Sequence, residues 1–388
     1  MIYFFLAAVC GINLYNWWKL RDAFLHQSLW GSALLLIAFL ALAMMPVWIR
    51  VLFRGRGNAP DWLEQLAWVW LAWAFWLTSV FLALELWNLV TLSIWNFRVG
   101  RSAVSPTELK SLALSPAATV AVAVGAVLLA TAWGIIEARA VNVKHLSVTS
   151  DKIPEHADGF RILLISDLHI GPALDQNRLQ RIIRRAREAS ADLVLSAGDL
   201  VDGKAPREQD MARQLAEVTA AFGKIACVGN HDVYTGVDDA RQLHQAAGFE
   251  LLENSGTWAT DWLWVAGPVD PAFYHRNAAT PGGNAAADNL LPPTPMPENT
   301  FTILLKHRPD PEPESRPAFD LQLSGHTHGG QIFPFNLLVR LHHRWKTGHL
   351  YQLPTGTAFY ISRGTGTWGP PFRLFAPPEL TLITLKRP

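Results

Sequence analysis

The chain has 388 residues, 50% of them hydrophobic and 17% charged, a length that suggests about two domains. Its 33 Lys and Arg against 32 Asp and Glu leave a net charge of +1, which argues against nucleic acid as a partner. Of the two cysteines, Cys10 lies in an apolar run and Cys227 in an expected buried strand, so neither reports a redox compartment.

Four apolar runs precede residue 140: residues 2–18, 29–52, 62–95 and 116–136. The last three reach the roughly 20 apolar residues needed to cross about 30 Å of hydrocarbon. The first is shorter and lacks both the basic start and the small-residue cleavage site of a signal peptide, so it reads as a retained helix. Twelve of the 17 Trp fall before residue 134, several near the ends of these runs, and Trp17, Trp18, Trp48, Trp62 and Trp95 are expected as interfacial anchors. Glu85 lies inside the third run, where a charge is expensive unless it is paired, near the interface or protonated. Four helices place both termini on one side of a membrane. Arg50, Arg54, Arg56, Arg139 and Lys144 on that side balance Lys19, Arg21, Arg98, Arg101 and Lys110 on the other, so charge gives no orientation.

Beyond this membrane domain (1–139), residues 140–155 read as a linker leading into a strand, and residues 156–388 form a second domain. Strands are expected at 160–166, 192–197 and 225–228, alternating with helices at 176–189 and 206–222. Residues 258–266, 301–305, 358–362 and 379–386 read as strands without long helices between them, which suggests a second sheet packed on the first. Residues 271–299, rich in Pro, Ala, Asn and Gly, read as a surface loop near the site. The arginines of the first helix, Arg178, Arg181, Arg184, Arg185 and Arg187, read as a solvated face.

Five short islands follow apolar, β-branched runs, the position at which an α/β sheet presents side chains from the carboxyl ends of its strands. They are Asp167-Leu168-His169, Gly198-Asp199, Gly229-Asn230-His231-Asp232, Lys306-His307-Arg308-Pro309 and Gly325-His326-Thr327-His328-Gly329-Gly330. In an extended segment His326 and His328 would fall on one side. Carboxylates, a carboxamide and imidazoles together suit borderline divalent ions such as Mn, Zn or Fe. Two such ions acidify a water and clamp the oxygens of a phosphoryl group, so the constellation points to phosphate ester hydrolysis.

Over residues 145–388 the chain resembles the calcineurin-like metallophosphoesterase superfamily, in the branch with N-terminal membrane segments and a Ser-Gly-His-Thr-His-Gly-Gly-Gln signature, here Ser324 to Gln331. The resemblance implies an αββα sandwich: two packed mixed sheets flanked by helices, following the transmembrane bundle. It implies one metal held by Asp167, His169, Asp199 and His328 and a second by Asp199, Asn230, His307 and His326, with Mn favoured. It also implies that His231 stands beside the scissile phosphate, oriented by Asp232. Because the branch includes hydrolases of nucleotide-activated lipid precursors, the expected substrate is a lipid-linked phosphodiester or pyrophosphate, handled at a bacterial inner membrane. A tethered phosphatase for soluble phosphomonoesters or nucleotides is the alternative, and a metal-binding membrane sensor without turnover a third reading. Residues 336–346 mix Leu and Trp with Arg and Lys, a composition suited to membrane lipid. His342, His343 and His349 lie near them and are read as non-ligands.

Overall fold

A computed structural model of the chain describes residues 2–53, 59–99, 114–203, 206–276, 290, 297, 299–311 and 319–388. It forms two compact units, Met1–Trp133 and Gly134–Pro388. Most of the 271–299 loop lies outside the described residues, as do Arg54, Arg56, Arg101, Lys110 and the side chains of Trp95 and Arg98.

The first unit is helical: α1 (Ile2–Leu20), α2 (Leu29–Ala43), α3 (Met45–Leu52), α4 (Asp61–Val99) and most of α5 (Pro116–Arg139). Among the described residues, α5 and Asp61–Ile94 of α4 are each long and apolar enough to cross a membrane, and α2 with α3 makes a third if that pair counts as one span. All four apolar runs are helical, and two or three of the helices pass on length and composition. Residues 29–52, one apolar run in the sequence, bend by 61° between α2 and α3. Pro46 stands in the first turn of α3, where it removes a backbone donor and crowds the carbonyl one turn earlier.

The polar groups of α1 make it less apolar and tie it to α4. Trp70 Nε1 donates to Asn13 Oδ1 at 3.1 Å, Asn16 Nδ2 donates to the Ala74 carbonyl at 2.8 Å, and Lys19 forms an ion pair with Glu85. Pairing across helices is how polar side chains are tolerated in an apolar bundle, and it accounts for Glu85. Trp18, Trp48 and Trp62 are exposed, whereas Trp17 donates its indole N–H to the Ser32 carbonyl.

The second unit contains two six-stranded sheets. In the first the order is β1 (Asn142–Thr149), β12 (Glu379–Lys386), β2 (Arg161–Ile165), β3 (Leu193–Ser196), β4 (Lys224–Cys227) and β5 (Glu250–Leu252), with all neighbours parallel except β12 and β2. In the second it is β10 (Leu350–Gln352), β11 (Ala358–Ile361), β9 (Leu321–Ser324), β8 (Phe301–Leu305), β7 (Leu263–Gly267) and β6 (Ser255–Trp258). Alternation along β2 sends Ile162 and Leu164 into the core shared with Val265, Ile303, Leu305 and Leu323 of the second sheet. Leu163 and Ile165 point the other way, onto α6 (Gln176–Glu188). That helix starts at an Asp175 N-cap and presents Leu179, Ile182, Ile183 and Ala186 as one apolar stripe. Each of its fully buried large side chains is worth about 1.5–3 kcal/mol. The remaining helices are α7 (Pro206–Leu215), α8 (Asn230–Thr235), α9 (Val237–Ala246), α10 (Ala272–Arg276) and α11 (Phe335–His342).

The two mixed sheets with flanking helices match the expected α/β architecture. Three local readings differ. Residues 140–155 are not a linker, because β1 pairs with β12 along its whole length. The strand expected at 258–266 is a β6–β7 hairpin, turned where Thr260 Oγ1 accepts from Trp262 N and Leu263 N. The helix expected at 206–222 ends at Leu215, and Val218 folds back into the core.

Candidate metal centre and active site

The loops after five strands carry the site. β2 leads to Asp167 and His169, β3 to Asp199, β4 to Asn230 and His231, β8 to His307, and β9 to His326 and His328. The first three strands belong to one sheet and the last two to the other, so both sheets contribute their carboxyl ends. All these side chains are buried except those of His231 and His326, which are partly exposed. Asp167, His169, Asp199, His326 and His328 each have φ between 50° and 73°, a left-handed conformation that costs a non-glycine residue about 1–3 kcal/mol. Backbone strain at five of the seven candidate ligands is sustained only because the surrounding contacts impose it. Two glycines make those contacts possible: a Cβ on Gly229 would collide with Asp199 Oδ1, and one on Gly325 with Asp167 Oδ2.

The donors fall into three groups, two of which contain Asp199. Asp167, His169 and His328 offer ligand atoms within 4.8 Å of one another, and so do Asp199, His307 and His326. Asp199 Oδ2 stands 3.9 Å from His169 Nε2 and 3.1 Å from His307 Nε2, between the two groups. Asn230 Oδ1 joins the second at 3.1 Å from His307 Nε2. The segment carrying His326 and His328 is not extended, because Thr327 is helical and a 3₁₀ turn begins at His328. The two imidazoles therefore serve different groups instead of sharing one side.

The fit to cations follows from this geometry. His169 Nε2 faces His328 Nε2 at 3.0 Å, and His326 Nδ1 faces His307 Nε2 at 3.2 Å. Imidazole nitrogens that close repel unless a proton or cation lies between them. Burial disfavours protonation of His307, yet the Asp199 carboxylate outweighs it, with Asp167 and Asp270 adding, and pushes His307 up to about 10. Burial, reinforced by His307, pushes His326 down to about 3, which leaves its lone pair free for a ligand bond. Burial opposes the Asp199 anion, but the neighbouring imidazoles, His307 first, hold this carboxyl well below the ordinary carboxylate range. A pocket that gathers carboxylates around imidazole nitrogens, with His326 held uncharged, suits divalent ions.

His231 packs edge-on against the His169 ring, with centroids 4.8 Å apart, and joins His169 and Asp199 in a third donor group. Its Nδ1 lies 2.7 Å from Asp202 Oδ1. Asp232 does not orient it, contrary to the sequence expectation. The Asp232 carboxylate instead accepts from Gly229 N at 2.8 Å, Asp199 N at 3.0 Å and Val201 N at 3.2 Å, stitching the β3 and β4 loops together. Asp202, missed in the sequence, also comes within 3.6 Å of His169 Nδ1 through Oδ2. Burial works against charge on His231, but the Asp202 hydrogen bond and the Asp199 charge outweigh it and raise its pKa.

Two further residues escaped the sequence reading. Arg373, fully buried, donates to the carbonyls of Gly364, Arg363, Gly366, His328 and Ala376, and its Nη2 lies 3.2 Å from His328 Nδ1. Trp368 stands 5.5 Å from the His231 ring and is braced by Gln331, whose side chain donates to the Trp368 carbonyl and accepts from its N–H. That clamp gives the last residue of the signature a structural reason.

Residues 160–330 match the calcineurin-like phosphoesterase family, a range containing every candidate metal ligand named above. The chain is 31% identical over 256 residues to a metallophosphoesterase of Aquifex aeolicus, a match that covers 66% of this chain and 95% of that protein. It belongs to the calcineurin-like metallophosphoesterase family. Members typically bind two divalent metals and hydrolyse phosphoesters, and the donor groups here fit that chemistry. This metallophosphoesterase is also 33% identical over 271 residues to a Danio rerio transmembrane protein with a metallophosphoesterase domain, a match covering 66% of this chain and 60% of the relative. A Bos taurus protein of the same name is 30% identical over 305 residues, 75% of this chain and 66% of its own length. Both relatives are named as transmembrane proteins, and two helices among the described residues here are long and apolar enough to cross a membrane.

Proposed function

We propose that the chain hydrolyses a lipid-linked phosphodiester or pyrophosphate at the surface of a bacterial inner membrane. In this reading Asp167, His169, Asp199 and His328 hold one divalent ion and Asp199, Asn230, His307 and His326 the other. The observation that carries it is the position of Asp199 Oδ2 between the two donor groups. When bound, the ions supply charge neutralisation for the phosphate oxygens and an acidified water as nucleophile. Carboxylate, carboxamide and imidazole donors without thiolate suit a borderline divalent ion such as Mn, Zn or Fe, and Mn is our choice. His231 keeps a proton for the leaving oxygen, and Asp202 fixes its tautomer and ring orientation.

The lipid reading is supported by α11, which begins seven residues after His328. Leu337, Leu338 and Leu341 are 44%, 53% and 85% exposed, beside exposed Arg340, Arg344 and Lys346. Such a face covers acyl chain with its leucines while its cations meet phosphate. The test uses the full-length protein with Mn against a panel of long-chain lipid and small soluble phosphates, before and after exhaustive chelation. Turnover of lipid substrates, lost with the metal and restored by Mn, is the expected result. Faster turnover of soluble esters would favour the tethered phosphatase, both ions bound without turnover would favour a sensor, and activity with an emptied site would reject the two-metal mechanism.

A further inference from the structure

A second cluster of charge lies outside the metal centre. A cavity of about 340 Å³ is lined by Arg139 at the end of α5, residues 140–142, and Arg181, Arg184, Arg185 and Glu188 of α6. No candidate metal ligand lines it. Glu188 is taken by Arg185 at 3.2 Å. Arg139, Arg181 and Arg184 have no carboxylate partner among the described residues, and Arg181 Nε is sealed from solvent with no acceptor. Arg178, one turn earlier and fully buried, also leaves Nε and Nη2 without partners. Buried donors are nearly always satisfied, and unpaired like charges repel one another, so the cluster lacks one component: an anion with several acceptor oxygens.

We propose that this cavity binds a phosphate group, and that the phosphate belongs to the head group of an anionic membrane lipid. Arginine suits the task because its planar fork meets phosphate oxygens through two parallel hydrogen bonds and is weakly hydrated. The position argues for a lipid source. Residues 116–136 of α5 carry no charge, and 24 residues at about 1.5 Å each span about 36 Å, slightly more than the hydrocarbon layer of about 30 Å. Arg139, the last residue of that helix, therefore falls at head-group depth. Basic pockets at such positions take lipid head groups by charge. The proposal does not depend on the metal chemistry or on the substrate.

Native mass spectrometry of the full-length protein in neutral detergent tests it, with metal removed by chelation so that phosphate at the catalytic centre is not counted. Wild type is expected to retain one phosphatidylglycerol in preference to phosphatidylcholine. Arg181→Gln and Arg184→Gln are each expected to weaken that retention by about 10-fold to 100-fold, the loss that follows from removing a charged hydrogen bond. Arg187→Gln, on the same helix but facing Glu217 at 3.8 Å, is expected to match wild type. Because the Arg184 side chain is exposed, its replacement leaves the fold intact and keeps the test valid if Arg181→Gln is unstable. Displacement of the lipid by an equal concentration of inorganic phosphate would keep the anion site and assign it to free phosphate. Equal retention of phosphatidylcholine, or an Arg184→Gln protein that binds phosphatidylglycerol like wild type, would overturn the proposal.

Discussion

Replacing Asp202 by Asn tests whether the pair it forms with His231 drives turnover. Asn is nearly isosteric, so the 2.7 Å contact to His231 Nδ1 survives in shape while the negative charge is lost. A hydrogen bond to a charged partner is worth about 1.5–3 kcal/mol, and at about 1.4 kcal/mol per decade its loss predicts a fall in kcat of about 10-fold to 100-fold. Replacing His231 itself by Ala removes the proton donor and is expected to cost about 10²-fold to 10⁴-fold. The direction with pH also follows. Asp202 contributes to raising the pKa of His231, so His231 keeps its proton to higher pH in wild type than it would alone. An acid in the reaction works only while protonated, so the alkaline limb of the kcat profile should move to lower pH in Asp202→Asn. Profiles of kcat at saturating Mn, with metal content measured on the same samples, separate this from loss of a ligand, because Asp202 also approaches His169. The decisive comparison is the double variant. If Asp202 acts through His231, Asp202→Asn in a His231→Ala background costs little more, whereas fully additive losses with metal retained would refute the pairing.

Asp199→Asn should lose both ions together, since its Oδ2 lies between the two donor groups; a protein that keeps two metals per chain by elemental analysis removes it from the bridge. Replacing Leu337, Leu338 and Leu341 together by Ser should raise KM for a long-chain lipid substrate and leave a small soluble diester nearly unchanged, and equal losses on both would make the segment ordinary core. Arg373→Met should destabilise the protein by about 3–5 kcal/mol in denaturant unfolding, because five backbone carbonyls lose a fully buried donor; a change under about 1 kcal/mol would show that those carbonyls find other partners.

The donor set was legible because strand ends and metal chemistry both leave marks in sequence: an apolar run, then residues too polar to be buried without a task. The strain beneath it was not, since nothing in Asp167 or His328 announces a left-handed backbone. Asp232 was assigned to His231 because they are adjacent in the chain. Both lie in the first turn of α8, and successive residues of a helix do not face each other, so Asp232 turns into the β3 loop while His231 meets a carboxylate from another strand. Asp202 follows two apolar residues after Asp199 and resembles an ordinary turn residue, and its contact exists only once β3 and β4 lie side by side. β1 reads as a linker because it buries little beyond Val148, as an edge strand can, and its hydrogen bonds to β12 come from 237 residues later in the chain (379 − 142).

The end of α5 explains why the two units divide at residue 133 rather than 139. Arg373 N donates to the Gly134 carbonyl at 3.0 Å, and the Glu137 carboxylate accepts from Phe375 N and Ala376 N at 3.0 and 2.7 Å. The last turns of that helix thus hold residues 373–376 through three backbone donors. The Arg373 guanidinium in turn grips the carbonyl of His328 and lies against its ring. A candidate metal ligand and the end of an apolar helix are consequently held by one side chain and its immediate neighbours. Glu137 is the first charge after residues 116–136, and its carboxylate is used where the helix leaves the apolar run, exchanging solvation for two backbone donors that no strand supplies.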